Sequence, residues 1–125
     1  MAESPQPVVS IQRRADGVAL VTLENPKFNA LSSEVLRQLR VAAQSLTEQP
    51  PGAVVVTGGD RVFAAGADIT EFAGPDEARI VGGLFLDALN AVAAIPRATI
   101  AAVSGFALGG GCELALAWDV RVASA

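Results

Sequence analysis

From Val8 to Arg14 apolar and polar residues alternate with the period of a half-buried strand. Val18 to Glu24 returns as its partner across Asp16-Gly17, a pair that favours a tight hairpin turn. Asn25-Pro26-Lys27-Phe28-Asn29 breaks the strand and predicts a loop. Ser32 then caps a helix that carries Glu34 in its first turn, and Val35, Leu36, Leu39, Ala43 and Leu46 share one face of it. Pro50-Pro51-Gly52 ends that helix.

Ala53 to Thr57 is a continuous apolar run, the pattern of a strand covered on both faces. Gly58-Gly59-Asp60 turns the chain, and Val62-Phe63-Ala64-Ala65-Gly66-Ala67-Asp68 reads as an approach to another helix. Gly74-Pro75-Asp76 opens a second long helix, with Ile80, Leu84, Ala88, Val92 and Ile95 on its face, and Pro96 stops it. Thr99 to Val103 is a third buried strand, a glycine turn starts a third helix, and Asp119 to Ala123 is a last strand. The order is strand, strand, helix, strand, helix, strand, helix, strand, without low-complexity segment or linker. The 125 residues therefore predict one α/β unit.

The chemistry concentrates in Ile100-Ala-Ala-Val-Ser-Gly-Phe-Ala-Leu-Gly-Gly-Gly-Cys-Glu-Leu-Ala-Leu-Ala-Trp-Asp119. Three successive glycines cost backbone entropy and contribute no packing, so bare backbone is needed there. Glu113 follows inside an apolar helix, where a carboxylate is expensive unless paired or used. Its neighbours Leu114 to Ala117 predict partial burial, which would favour general acid–base use. A second strand-exit turn, Ala65-Gly66-Ala67-Asp68, also sets bare backbone beside an acid. Two such turns can aim two amides at one oxygen, each worth roughly 2.7–4 kcal/mol to a developing oxyanion. The plainer alternatives stay open: glycines for close helix–strand packing, and Glu113 as a capping acid on the helix dipole. Asp68 reads as a loop-fixing carboxylate, Cys112 as small core packing, and Trp118 as core or a subunit contact.

Composition removes several chemistries. The chain has no His and no Tyr, which excludes Ser-His-Asp and Cys-His mechanisms and His-ligated zinc. Gly105-Phe-Ala-Leu-Gly109 does not fit the dinucleotide fingerprint, and no Lys-Ser/Thr pair follows the glycines as in a P-loop. A net charge of −4 without a basic run argues against nucleic acid. The single Cys112 fits a reducing compartment, and Met1 to Pro7 lacks the basic-then-apolar build of a signal peptide, so the expected location is cytoplasmic. Residues 1–7 are expected to be disordered. Ala98 to Trp118 carries Glu113 as its only charge, but three glycines and a central acid argue against a membrane span.

Four segments together resemble the crotonase superfamily, the enoyl-CoA hydratase/isomerase family, over about Val8 to Ala123. They are Leu23-Glu-Asn-Pro-Lys-Phe-Asn-Ala-Leu31, Val54-Val-Val-Thr-Gly58, Phe63-Ala-Ala-Gly-Ala-Asp-Ile69 and Ile100 to Leu114. The resemblance implies a crotonase-like spiral of ββα units, assembled as trimers or pairs of trimers, acting on acyl-CoA thioesters through an enolate. It implies Ala67 and Gly110 as the oxyanion amides and Glu113 as the first of two glutamates that activate water and shuttle protons. Lys27, Phe28, Ala30, Ala65, Asp68, Ile69, Thr70 and Gly109 fall where the family contacts CoA or the thioester. One residue fewer than usual separates Pro26 from Asn29-Ala30-Leu31, which bears on Lys27 and Phe28. No metal or separate cofactor is implied, since CoA arrives with the substrate.

Family members run about as far again, and the second glutamate lies in that further part. The resemblance therefore reads residues 1–125 as the N-terminal portion of a crotonase-like domain, with an open strand edge and uncovered apolar faces. Hydration of a 2-enoyl-CoA, as in fatty acid β-oxidation, is the expected reaction. The alternatives are an enoyl-CoA isomerase or another thioester-enolate enzyme, or a remnant that is inactive or works by associating with a full-length relative.

Overall fold

The structure, a computed structural model, describes residues 7–26 and 28–124, with Ile69 described by its backbone alone. Strands β1 (Val9–Arg13) and β2 (Val18–Leu23) form the expected antiparallel hairpin. The Asp16 carboxylate fixes its turn by accepting from the Val18 N–H at 3.1 Å. β2 continues into a five-stranded sheet in the order β1-β2-β4-β7-β9, where β4 is Ala53–Thr57, β7 Ala98–Val103 and β9 Val120–Ala123. Beyond the hairpin every pairing in that sheet is parallel.

Between successive sheet strands the chain makes short strands and then a helix. β3 (Ala30–Leu31) precedes α1 (Ser33–Glu48), β5 (Val62–Ala64) and β6 (Gly66–Ala67) precede α2 (Pro75–Ala93), and β8 (Phe106–Ala107) precedes α3 (Gly110–Leu116). The short strands pair across successive turns, β3 with β6 and β5 with β8. Sheet strand, short strand and helix thus repeat as a spiral of ββα units.

Packing follows the apolar face of each element. Ser32 Oγ accepts from the Val35 N–H at 3.2 Å, and Val35, Leu36, Leu39, Ala42, Ala43 and Leu46 of α1 are buried. They join Ala19, Val21 and Leu23 of β2, Val54 and Val56 of β4 and Ala101 of β7 in one core. Burial alternates along β4, leaving Ala53, Val55 and Thr57 half-exposed, so that strand is fully covered on one face and not on two. In α2 the buried positions are Val81, Ala88 and Val92; Leu84 is half-buried and Ile80 is 62% exposed. The phase differs from the expected face because Ile80, Val81, Leu84, Phe85 and Leu86 offer apolar groups all round the helix, and contact with α1 selects among them.

The residues from Val62 to Asp68 do not lead directly into a helix. They form two short strands and a 3₁₀ turn over Ile69–Glu71, while α2 begins at Pro75 behind an extended Gly74. The apolar stretch Ala98 to Trp118 is divided among β7, β8 and α3, and among the described residues no helix is long and apolar enough to cross a membrane. β9 closes the sheet as an exposed edge; its own Val120 and Val122, and Leu116 at the end of α3, are open.

Candidate active site

The two glycine-bearing turns come together at the ends of the short strands. The Leu108 N–H donates to the Ala64 carbonyl at 3.1 Å, tying the second turn to the first. A Cβ at Gly66 would stand 3.0 Å from the Leu108 oxygen and 3.6 Å from the Gly110 nitrogen. Gly111 lies so close to the Ala64 backbone that a Cβ there would overlap the Ala64 carbonyl. Two segments 42 to 47 positions apart thus interlock through bare backbone. Ala67, half-buried, follows Gly66 on one side; Gly110, half-buried, opens α3 on the other, where the first amides of a helix lack intrahelical partners.

The other expected residues gather around this junction to different degrees. Ala30 pairs in register with Gly66, and Leu31 with Ala67. Phe28, Val62, Ala65, Phe106 and Leu108 line a wholly apolar cavity of about 290 Å³. Phe28, Phe106 and Leu108 each expose more than half of their surface there. Asp68 fixes its loop, as expected, by accepting from the Thr70 N–H at 3.0 Å and the Thr70 hydroxyl at 2.6 Å. Gly109 takes φ 51° and ψ −118°, a backbone state that favours glycine. Of Ile69 only the backbone is described, in the 3₁₀ turn, and Lys27 lies outside the described residues.

Glu113 departs from expectation: it is exposed, not partly buried. The cause is the phase of α3, set where Gly111 meets Ala64, which turns Gly111, Leu114, Ala115 and Trp118 inward and Cys112, Glu113 and Leu116 outward. Cys112 is accordingly exposed rather than core packing. The Glu113 N–H donates to the Gly109 carbonyl at 3.2 Å, so the residue sits one turn along from Gly110. Trp118 is buried, and its indole N–H has no hydrogen-bond partner among the described residues.

Asn29, which the sequence places in a loop and in the first family-resembling segment without a role of its own, is buried at the hub of the first turn. Its Nδ2 donates to the Gly58 carbonyl at 2.8 Å and stands 3.2 Å from the carbonyls of both Val62 and Phe63. An Asn at the end of a loop gives no sequence signal for such a role, because its partners lie 29 to 34 residues away. Among the described residues no cluster of Cys, Asp and Glu could hold a metal ion.

Comparison with known proteins agrees with this geometry. The family model described as Enoyl-CoA hydratase/isomerase matches residues 13–125. The chain is 43% identical over 113 residues to "Probable enoyl-CoA hydratase echA8" of Mycobacterium bovis, covering 89% of this chain and 44% of that protein. It is 45% identical over 112 residues to a "Probable enoyl-CoA hydratase" of Rhizobium meliloti, covering 86% and 42%. Among solved structures, Pseudomonas aeruginosa DspI superposes with a TM-score of 0.89 at 33% identity, covering 98% of this chain and 51% of that one. An enoyl-CoA hydratase from Bacillus anthracis superposes at 0.86 and 33% identity, covering 94% and 47%. The chain spans about half the length of the relatives it matches.

Proposed function

The chain belongs to the enoyl-CoA hydratase/isomerase family, with a crotonase fold, and from that premise we propose that it carries the thioester half of an acyl-CoA site. The observation that carries this reading is the interlock of Ala64–Ala67 with Leu108–Gly111, which sets two strand-exit backbones side by side. In the proposed site the Ala67 and Gly110 N–H groups receive the thioester oxygen, and the apolar cavity beside Phe28 and Ala65 takes uncharged parts of the ligand. Ala30, Asp68, Thr70 and Gly109 shape its rim. CoA enters and leaves with the substrate, and no other cofactor is required.

The proposed reaction is hydration of a 2-enoyl-CoA. A water loses a proton to the Glu113 carboxylate as its oxygen bonds to C3. The C2–C3 π pair moves toward the thioester, and the negative charge on its oxygen is met by the two amides. The proton taken from water, passed between Glu113 and the second glutamate of the longer family members, is delivered to C2 and returns the thioester as a 3-hydroxyacyl-CoA. The exposure of Glu113 leaves its carboxylate open to such a ligand, but not shielded from bulk water. Complete hydration is therefore proposed to require the second glutamate and covering chain of the longer family members, in a cytoplasmic trimer or pair of trimers.

The test is incubation of a short 2-enoyl-CoA with the chain, alone and extended to family length, with products identified by NMR. The expected product is the 3-hydroxyacyl-CoA, formed by the extended chain and lost in Glu113→Gln. A shifted double bond without water addition would make the activity an isomerase. Turnover unaffected by Glu113→Gln would remove Glu113 from the mechanism.

A further inference from the structure

Asn29 has a backbone that an ordinary side chain avoids, with φ 52°, and is the one non-glycine residue at positive φ among the described residues. Its side chain explains why that state is kept. Oδ1 accepts from the Asn25 N–H at 2.8 Å, and the Asn29 N–H donates to the Asn25 carbonyl at 2.8 Å. Nδ2, with two protons, faces the carbonyls of Gly58, Val62 and Phe63. One carboxamide therefore joins the loop before β3, the turn after β4 and strand β5.

The consequence runs to the proposed thioester site from both sides. Upstream of Ala65, the Asn29 side chain holds Val62 and Phe63, and the next residue, Ala64, is the one that meets Leu108 and Gly111. Downstream of Ala65, Ala30 and Leu31 follow Asn29 directly and pair with Gly66 and Ala67. The segment carrying the Ala67 amide is thus fixed at both ends by one residue and its immediate successors. We propose that Asn29 is a positioning residue: it holds residues 62–67 in one geometry, so that the Ala67 N–H keeps its aim. The statement about aim rests on the reading that this amide receives the thioester oxygen.

The experiment compares amide hydrogen exchange by NMR in the unaltered chain, Asn29→Gly and Asn29→Asp. Glycine accepts the positive φ but removes the carboxamide. Aspartate keeps the shape and the acceptor for Asn25, but sets an oxygen against three carbonyl oxygens. The expected result is a selective fall in protection of about tenfold or more at Phe63 to Ala67, greater for aspartate, relative to β2, β4 and α1. Thr99→Val, which removes a comparable bond elsewhere, should leave the ratio between those regions unchanged. Equal loss throughout the core, or no loss, would overturn the proposal. Asn29→Gly decides the matter where Asn29→Asp does not fold.

Titration with butyryl-CoA, a saturated thioester that cannot be hydrated, separates this idea from the reading beneath it. A native chain whose Ala67 amide ignores the thioester would refute the thioester reading, while the exchange ratio would still judge whether Asn29 fixes the segment. If the native amide responds, its response in Asn29→Gly should weaken about tenfold, in step with the loss of protection. A variant that keeps the full response would overturn the positioning role.

Discussion

The three consecutive glycines meet three different surroundings, so alanine at each should have a different cost. At Gly111 an added Cβ would overlap the carbonyl of Ala64, standing 2.8 Å from its carbon and 3.0 Å from its Cβ. Ala64 is fully buried in β5, so relief requires moving a strand. Overpacking of that kind costs typically about 1–3 kcal/mol or more, against which alanine in a helix recovers roughly 0.5–1 kcal/mol. At Gly110 the neighbour is the Phe85 ring, whose Cζ would be 2.5 Å away. That half-buried ring can turn aside, so the same helix gain leaves the net effect within about 1 kcal/mol of zero. At Gly109 an added Cβ would meet nothing within 4 Å among the described residues beyond its chain neighbours, but φ 51° with ψ −118° remains. Strain of that type costs of order 1–3 kcal/mol. With about 2–8 °C of Tm per kcal/mol for domains near this size, Gly111→Ala and Gly109→Ala should melt several degrees lower and Gly110→Ala should hardly move. Thermal melts followed by circular dichroism read the series. Gly111→Ala melting as high as Gly110→Ala would refute the claim that close approach to Ala64 demands bare backbone.

Other substitutions test separate parts of the fold. Ser32→Ala removes the acceptor of the Val35 N–H and should cost about 0.5–2 kcal/mol in urea unfolding. Trp118→Phe removes a buried donor that lacks a partner among the described residues, so it should cost far less than Trp118→Ala, for which about 3–5 kcal/mol is expected by the same assay. Thr99 and Asp119 exchange two bonds, Thr99 N–H to Oδ2 at 3.0 Å and Asp119 N–H to the Thr99 hydroxyl at 2.9 Å. Thr99→Val leaves one of those N–H groups without its acceptor and should destabilise by about 1–3 kcal/mol, with faster amide exchange at Asp119 and in β9.

The elements that sequence revealed are those whose stabilisation is local. α1 has a side-chain cap, a single apolar face and proline beyond its end, and each of these lies within its own span. The β1–β2 hairpin is likewise written in Asp16-Gly17 and the strands around it. By contrast β3, β5, β6 and β8 are two or three residues long and exist only through partners far away in sequence. No periodicity can develop over so few residues, so the sequence from Val62 to Asp68 reads as one approach to a helix. The exposure of Glu113 was hidden for a related reason. Apolar neighbours in sequence suggested burial, but the phase of α3 follows the contact between Gly111 and Ala64, which no local pattern encodes. For the site itself, the need for bare backbone at Gly66, Gly109 and Gly111 is legible. The convergence of Asn29 on three carbonyls was not.

The central claim is that two strand-exit turns bring the Ala67 and Gly110 amides to bear on one thioester oxygen. An amide-resolved NMR titration of the chain with butyryl-CoA, with free CoA as control, tests it most directly. The predicted result is that both amide signals move together with one saturation curve, for the thioester and not for free CoA. Movement of neither amide, or the same movement with free CoA, would contradict the claim.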